Sequence, residues 1–150
     1  MARRESNKKN LLLMQDNLSN STLGLYYRTP TTKERQAYIN RRSVREGKKF
    51  RDNSAANRVE FGARILTGLR EGDFERAVGV DEFKPFSSDE KSTAYFPDWR
   101  EWMQDNCSDV LTMLSIRVFE LSVTPSSDEF QEVDADLNDL DDLVEDLEKE

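Results

Sequence analysis

The sequence predicts a mainly α-helical fold: a single small helical domain with three main helices, an ordered aromatic-rich loop and flexible termini. Three observations lead there. Thr31 and Glu34 have the S/T-x-x-E spacing that lets each side chain satisfy the other's free backbone N–H at a helix start. Apolar residues recur at three- and four-residue steps over 55–69 and again over 99–121. The stretch between, 72–97, sustains neither a helical nor a strand period.

Residues 1–20 are basic and then polar, and read as a flexible N-terminal segment in which Leu11, Leu12, Leu13, Met14 and Leu18 supply one amphipathic turn or two. Ser21–Thr29 reads as an extended lead-in, because Thr29 precedes Pro30 and is pushed away from helix. The first helix is expected from Thr31 to a stop near Gly47. Its thin apolar face, Ala37, Tyr38 and Val44 among Arg35, Arg41, Arg42 and Arg45, places it on the surface. A second helix is expected after Asn53 or Ser54, carrying Ala55, Val59, Ala63, Leu66 and Leu69 to a terminator at Gly72. Gly62 and Gly68 weaken an exposed helix but let another helix approach closely, so packing is the expected reason for both.

Phe74, Val78, Val80, Phe83, Phe86, Tyr95 and Phe96 crowd the following stretch, which Pro85 and Pro97 interrupt. It is expected to be a long ordered loop whose aromatics are anchored in the helical core. The third helix runs from about Asp98 to Leu121 and carries the core stripe of Trp99, Trp102, Met103, Val110, Leu111, Leu114, Val118 and Leu121, with a kink or break at 106–108. Residues 21–122 thus make the helical domain. Residues 123–150 form an acidic tail, with 12 acids and one base over 128–150, expected to be largely disordered alone. Within it Val133, Leu137, Leu140, Val144 and Leu147 follow an a/d spacing, the candidate partner-binding stripe.

Composition narrows the function. The 150 residues hold 36% apolar and 35% charged residues, with a net charge of −8. That charge is split: residues 1–70 carry 16 Lys+Arg against 6 Asp+Glu, and residues 71–150 carry 6 against 24. No apolar run approaches the ~20 residues of a membrane span, and a cytoplasmic protein is expected. One cysteine, Cys107, excludes an internal disulfide, and the absence of histidine removes the common zinc sites and the usual general base. Cys107 is read as a small packed residue, since no histidine activates it. Asp134, Asp136, Asn138 and Glu145 fall at positions of a calcium loop, but Asp139 stands where that loop needs its glycine. No catalytic, metal or cofactor site is expected, and the chain is read as a non-enzyme. Arg41, Arg42, Arg45, Lys48, Lys49 and Arg51 form a basic patch with the potential to meet phosphate, although the acidic total charge disfavours a constitutive nucleic-acid binder.

Tyr27-Arg28-Thr29-Pro30-Thr31-Thr32-Lys33-Glu34-Arg35-Gln36-Ala37-Tyr38 and Ile65-Leu66-Thr67-Gly68-Leu69-Arg70-Glu71-Gly72-Asp73-Phe74 together resemble small proteins of phage and prophage tail modules. The resemblance covers roughly residues 22–121 and leaves out the basic N-terminus and the acidic tail. It implies a tail assembly chaperone, acting in the host cytoplasm on the tape measure protein or the tail tube subunit. The alternative is a nucleic-acid-binding protein whose basic half is masked by the acidic tail.

Overall fold

The computed structural model describes residues 10–121 and 123, and its fold is α+β in place of the predicted mainly α one. The first of the chain's two units ends at Glu120. Three small antiparallel sheets, present among the described residues, make the difference. Apart from Ser21–Tyr27, where an extended lead-in was expected, they form where helix, loop or loose chain was expected.

The first departure is at the N-terminus. Asn10–Asp16 is strand β1 and Ser21–Tyr27 is strand β2, paired from Asn10↔Tyr27 to Asp16↔Ser21. Alternate β1 residues turn inward, and Leu12 and Met14 pack on the core while Leu11 and Leu13 stay exposed. Leu11 to Met14 is therefore a half-buried strand, whose two-residue period is hidden in an unbroken apolar run. Residues 10–20 are thus part of the fold, correcting the flexible segment expected there; residues 1–9 lie outside the described residues.

Helix α1, Thr32–Asn40, starts with the predicted capping box: Thr31 accepts from the Glu34 N–H, and Glu34 accepts from the Thr31 N–H. It ends seven residues before Gly47. Ser43–Glu46 (β3) and Lys49–Asp52 (β4) then form a hairpin around a two-residue turn, with Gly47 at φ 63°. Glycine is the residue suited to that left-handed position, so the stop signal belonged to a turn and not to a helix end. Helix α2, Ser54–Ile65, also stops early, because Leu66–Leu69 becomes strand β5 and adds to β2 to give the order β1-β2-β5. Leu66 and Leu69, predicted on a helical stripe, are buried from a strand.

The expected aromatic loop holds a third hairpin, Glu75–Gly79 (β6) with Glu82–Pro85 (β7). Phe74 and Phe86 flank it and are buried as expected, with Phe86 packed edge-on against Trp102 and Phe96. The last helical region breaks at Cys107 into α3, Trp99–Asn106, and α4, Ser108–Ser115, and continues as a π turn over Ile116–Glu120.

The core lies between the inner face of β1-β2-β5 and helices α2 and α4. Leu25, Phe61, Ile65, Leu66, Met103, Leu111 and Leu114 are fully buried. Helices α2 and α4 come close together at Gly62, where an added Cβ would stand 2.5 Å from the Leu111 carbonyl oxygen. This is the close approach that the sequence anticipates. Arg100 donates to the Ala63 and Leu66 carbonyls, placing a cation where the helix dipole of α2 favours one.

Candidate functional site

Most of the charge near the core holds the frame together. Glu120, at the end of the π turn, accepts from the Tyr38 hydroxyl at 2.5 Å, from Arg58 Nε and an Arg58 terminal nitrogen at 3.0 and 3.1 Å, and from Arg42 at 3.3 Å. The Arg58 hydrogen bonds hold its carboxyl down at about 2. Burial, reinforced by Glu120, pushes the Tyr38 phenol up to about 12. Above this cluster Tyr38 stacks on Phe119 at 4.4 Å, and Phe61 meets both rings edge-on. Arg28 clamps Glu34 bidentately at 2.5 and 2.7 Å and holds its carboxyl at about 2. Arg70 and the Gly24 N–H share Asp73.

The two stretches that carry the resemblance meet in this frame. Tyr27 pairs with Leu66, the Arg28 N–H donates to the Ile65 carbonyl, and the Arg70 N–H donates to the Gly24 carbonyl. Their polar residues fasten strands and helix ends to one another.

The sequence-predicted basic patch is divided by the structure. Arg41 pairs with Glu60 at 3.3 Å, and Arg42 turns to Glu120. Arg45, Lys48, Lys49 and Arg51 ride on the β3–β4 hairpin, where Arg51 is neutralised by Glu46 at 3.0 Å. Arg45 donates to the Gly47 carbonyl, and neither it nor Lys48 nor Lys49 forms an ion pair among the described residues. Across the hairpin Arg45 pairs with Phe50, which is 73% exposed. The candidate partner stripe Val133, Leu137, Leu140, Val144 and Leu147 lies outside the described residues.

The β6–β7 hairpin presents a second surface. Val80, at its turn, is 93% exposed and Phe83 is 61% exposed, with Val78 beside them. The sequence reading anchored the aromatic Phe83 in the core; the hairpin carries it out into solvent. Phe50 was passed over altogether. The legible signals were Glu46-Gly47-Lys48-Lys49 and Gly79-Val80-Asp81-Glu82, each a glycine-bearing turn between short extended runs; Asp81 takes a left-handed φ of 57°.

Cys107 is partly buried between α3 and α4, and burial, with Asp109 and Asp16 adding to it, pushes its thiol up to about 11. The thiolate is the reactive form, so Cys107 is expected to alkylate far more slowly at pH 8 in the folded protein than in denaturant. Time-resolved labelling followed by mass spectrometry checks this.

No helix among the described residues is long and apolar enough to cross a membrane. Comparisons with protein-family models, with curated proteins and with solved structures give no match for the chain.

Proposed function

We propose that this chain is a non-enzymatic assembly factor that binds another protein through the β6–β7 hairpin. The observation that carries the reading is the exposure of Val80 and Phe83 on a hairpin whose flanking aromatics, Phe74 and Phe86, are rooted in the core. A rigidly mounted element with large apolar side chains in water is the physical form of a docking site. Apolar surface buried on a client yields roughly 25 cal/mol per Å² before the costs of association, and such aromatic anchors tend to dominate protein interfaces.

The resemblance of 27–38 and 65–74 gives this role its specific form. In it the chain is a tail assembly chaperone of a phage or prophage, and the client is the tape measure protein or the tail tube subunit. Such a role needs no reacting group. It needs an apolar surface to cover the client and charge to keep the complex dispersed.

Co-expression of the full chain with tape measure and tube proteins, followed by affinity capture, tests the reading. One of the two is expected to be retained through a high-salt wash, because the contact is apolar. Recovery of neither contradicts it.

A further inference from the structure

Two surfaces of the first unit complement each other in charge and in apolar character. One is the β3–β4 hairpin, which carries Arg45, Lys48 and Lys49, cations without an ion pair among the described residues, around the exposed ring of Phe50. The other is a cleft of about 440 Å³ between the β1–β2 turn, the start of β6 and the start of α4. Buried Leu23, Phe74 and Val110 line it, together with Leu18, which is 91% exposed. Four carboxylates surround that apolar lining. Asp73 is held by Arg70 and Asp16 caps its own turn, whereas Glu75 and Asp109 have no ion-pair partner among the described residues.

The two surfaces are anchored at opposite ends of the segment formed by α4 and the π turn. The base of the hairpin is tied to the end of the π turn through Arg42 and Glu120, and Asp109 sits in the first turn of α4. Along the helical rise of 1.5 Å per residue that is about 16 Å. No residue of the β3–β4 hairpin is among those that line the cleft, so the hairpin does not occupy the cleft of its own molecule. The fit is therefore between molecules. Residues 10–121 carry 17 Lys+Arg and 17 Asp+Glu, so long-range repulsion between copies of this region is small.

We infer that the β3–β4 hairpin of one copy docks in the Leu18–Phe74–Val110 cleft of a second copy. Phe50 covers Leu18 and the apolar lining, while Lys48 and Lys49 meet Glu75 and Asp109. Such a head-to-tail contact uses two different surfaces of the same molecule, so it propagates into a ring if the rotation closes and into a filament if it does not. The cleft takes in β6 only at Glu75, at the opposite end of the strand from the Val80 turn, and does not include Val80 or Phe83, so the inference stands whether or not the client reading does.

Two full-chain variants test it. Lys48→Glu/Lys49→Glu/Phe50→Ser removes the hairpin, and Glu75→Lys/Asp109→Asn removes the cleft; all five positions are exposed, and circular dichroism confirms folding of each. In analytical ultracentrifugation at low salt the wild type is expected to grow with concentration beyond twice the protomer mass. Each variant alone is expected to stay a single protomer. An equimolar mixture, with one intact hairpin and one intact cleft, is expected to give a dimer of twice the protomer mass and nothing larger. A wild type that remains a single protomer at every concentration overturns the inference, as does growth that persists in either variant. Retention of single-stranded DNA by a wild type that does not self-associate, lost in the hairpin variant, assigns Lys48 and Lys49 to nucleic acid instead.

Discussion

Replacing Gly62 by alanine is expected to destabilise the protein by about 2 kcal/mol, within the range measured when a methyl is forced into a packed interface. At an exposed helical position the same change is worth roughly 1 kcal/mol in the opposite direction, because alanine is the better helix former. The sign is decided by the neighbour. An added Cβ at Gly62 would stand 2.5 Å from the Leu111 carbonyl oxygen and 3.0 Å from Ser115 Oγ, and the first of these is backbone. Helix α4 has to move away from α2 to make room, opening contacts around fully buried Leu111 and Leu114. For a body of this size the loss lowers Tm by roughly 8 °C or more. A thermal melt of the variant that matches or exceeds the wild type contradicts the close approach of α2 and α4.

Glu120→Ala is expected to cost about 2 to 3 kcal/mol, since it leaves Arg58 and the Tyr38 hydroxyl without their acceptor beside the core. Glu120→Gln keeps an acceptor and is expected to cost less. The same carboxylate sets the acid limit of stability. Its folded pKa, about 2, lies below the ordinary value near 4.5, as does that of Glu34. The unfolded chain therefore binds protons first as pH falls, and the stabilisation, complete above about pH 5, is lost between there and pH 2. Denaturant titrations across that window are expected to show a shallower acid loss for Glu120→Gln than for the wild type. Identical slopes contradict the assignment.

What the sequence discloses of this fold is its helix starts and its packing points. The Thr31–Glu34 capping box, the close approach at Gly62, the break at Cys107 and the burial of Trp99 through Val118 rest on local rules, and those rules hold in the structure. The strands were hidden for physical reasons. Leu11 to Met14 is apolar on both faces although only one is buried, so its period of two is invisible. Leu66 and Leu69 fit a helical spacing by coincidence, and their pairing with β2, some 40 residues upstream, is a long-range contact that propensity does not encode. Gly47 and Gly72 were read as helix ends, but the helices stop earlier, at Asn40 and Ile65, and both glycines take positive φ in turns; the residue type alone does not say which kind of element it ends.

The candidate site was less legible than the frame. Arg41, Arg42, Arg45, Lys48, Lys49 and Arg51 form one cluster along the chain, but folding commits Arg41, Arg42 and Arg51 to carboxylates and leaves the other three on the hairpin. Only acids far along the chain, Glu60 and Glu120, explain the first two. Conversely Val80 and Phe83 share the composition of core residues, and a hairpin that lifts them into water is a tertiary fact.

The most direct test of the proposed function compares the Val80→Ser/Phe83→Ser variant with the wild type in capture of the client. Both side chains are exposed, so Tm is expected to change by no more than about 2 °C. Capture is expected to fall at least tenfold, about 1.4 kcal/mol of binding free energy. Undiminished capture by a normally folded variant contradicts the assignment of β6–β7 as the docking element.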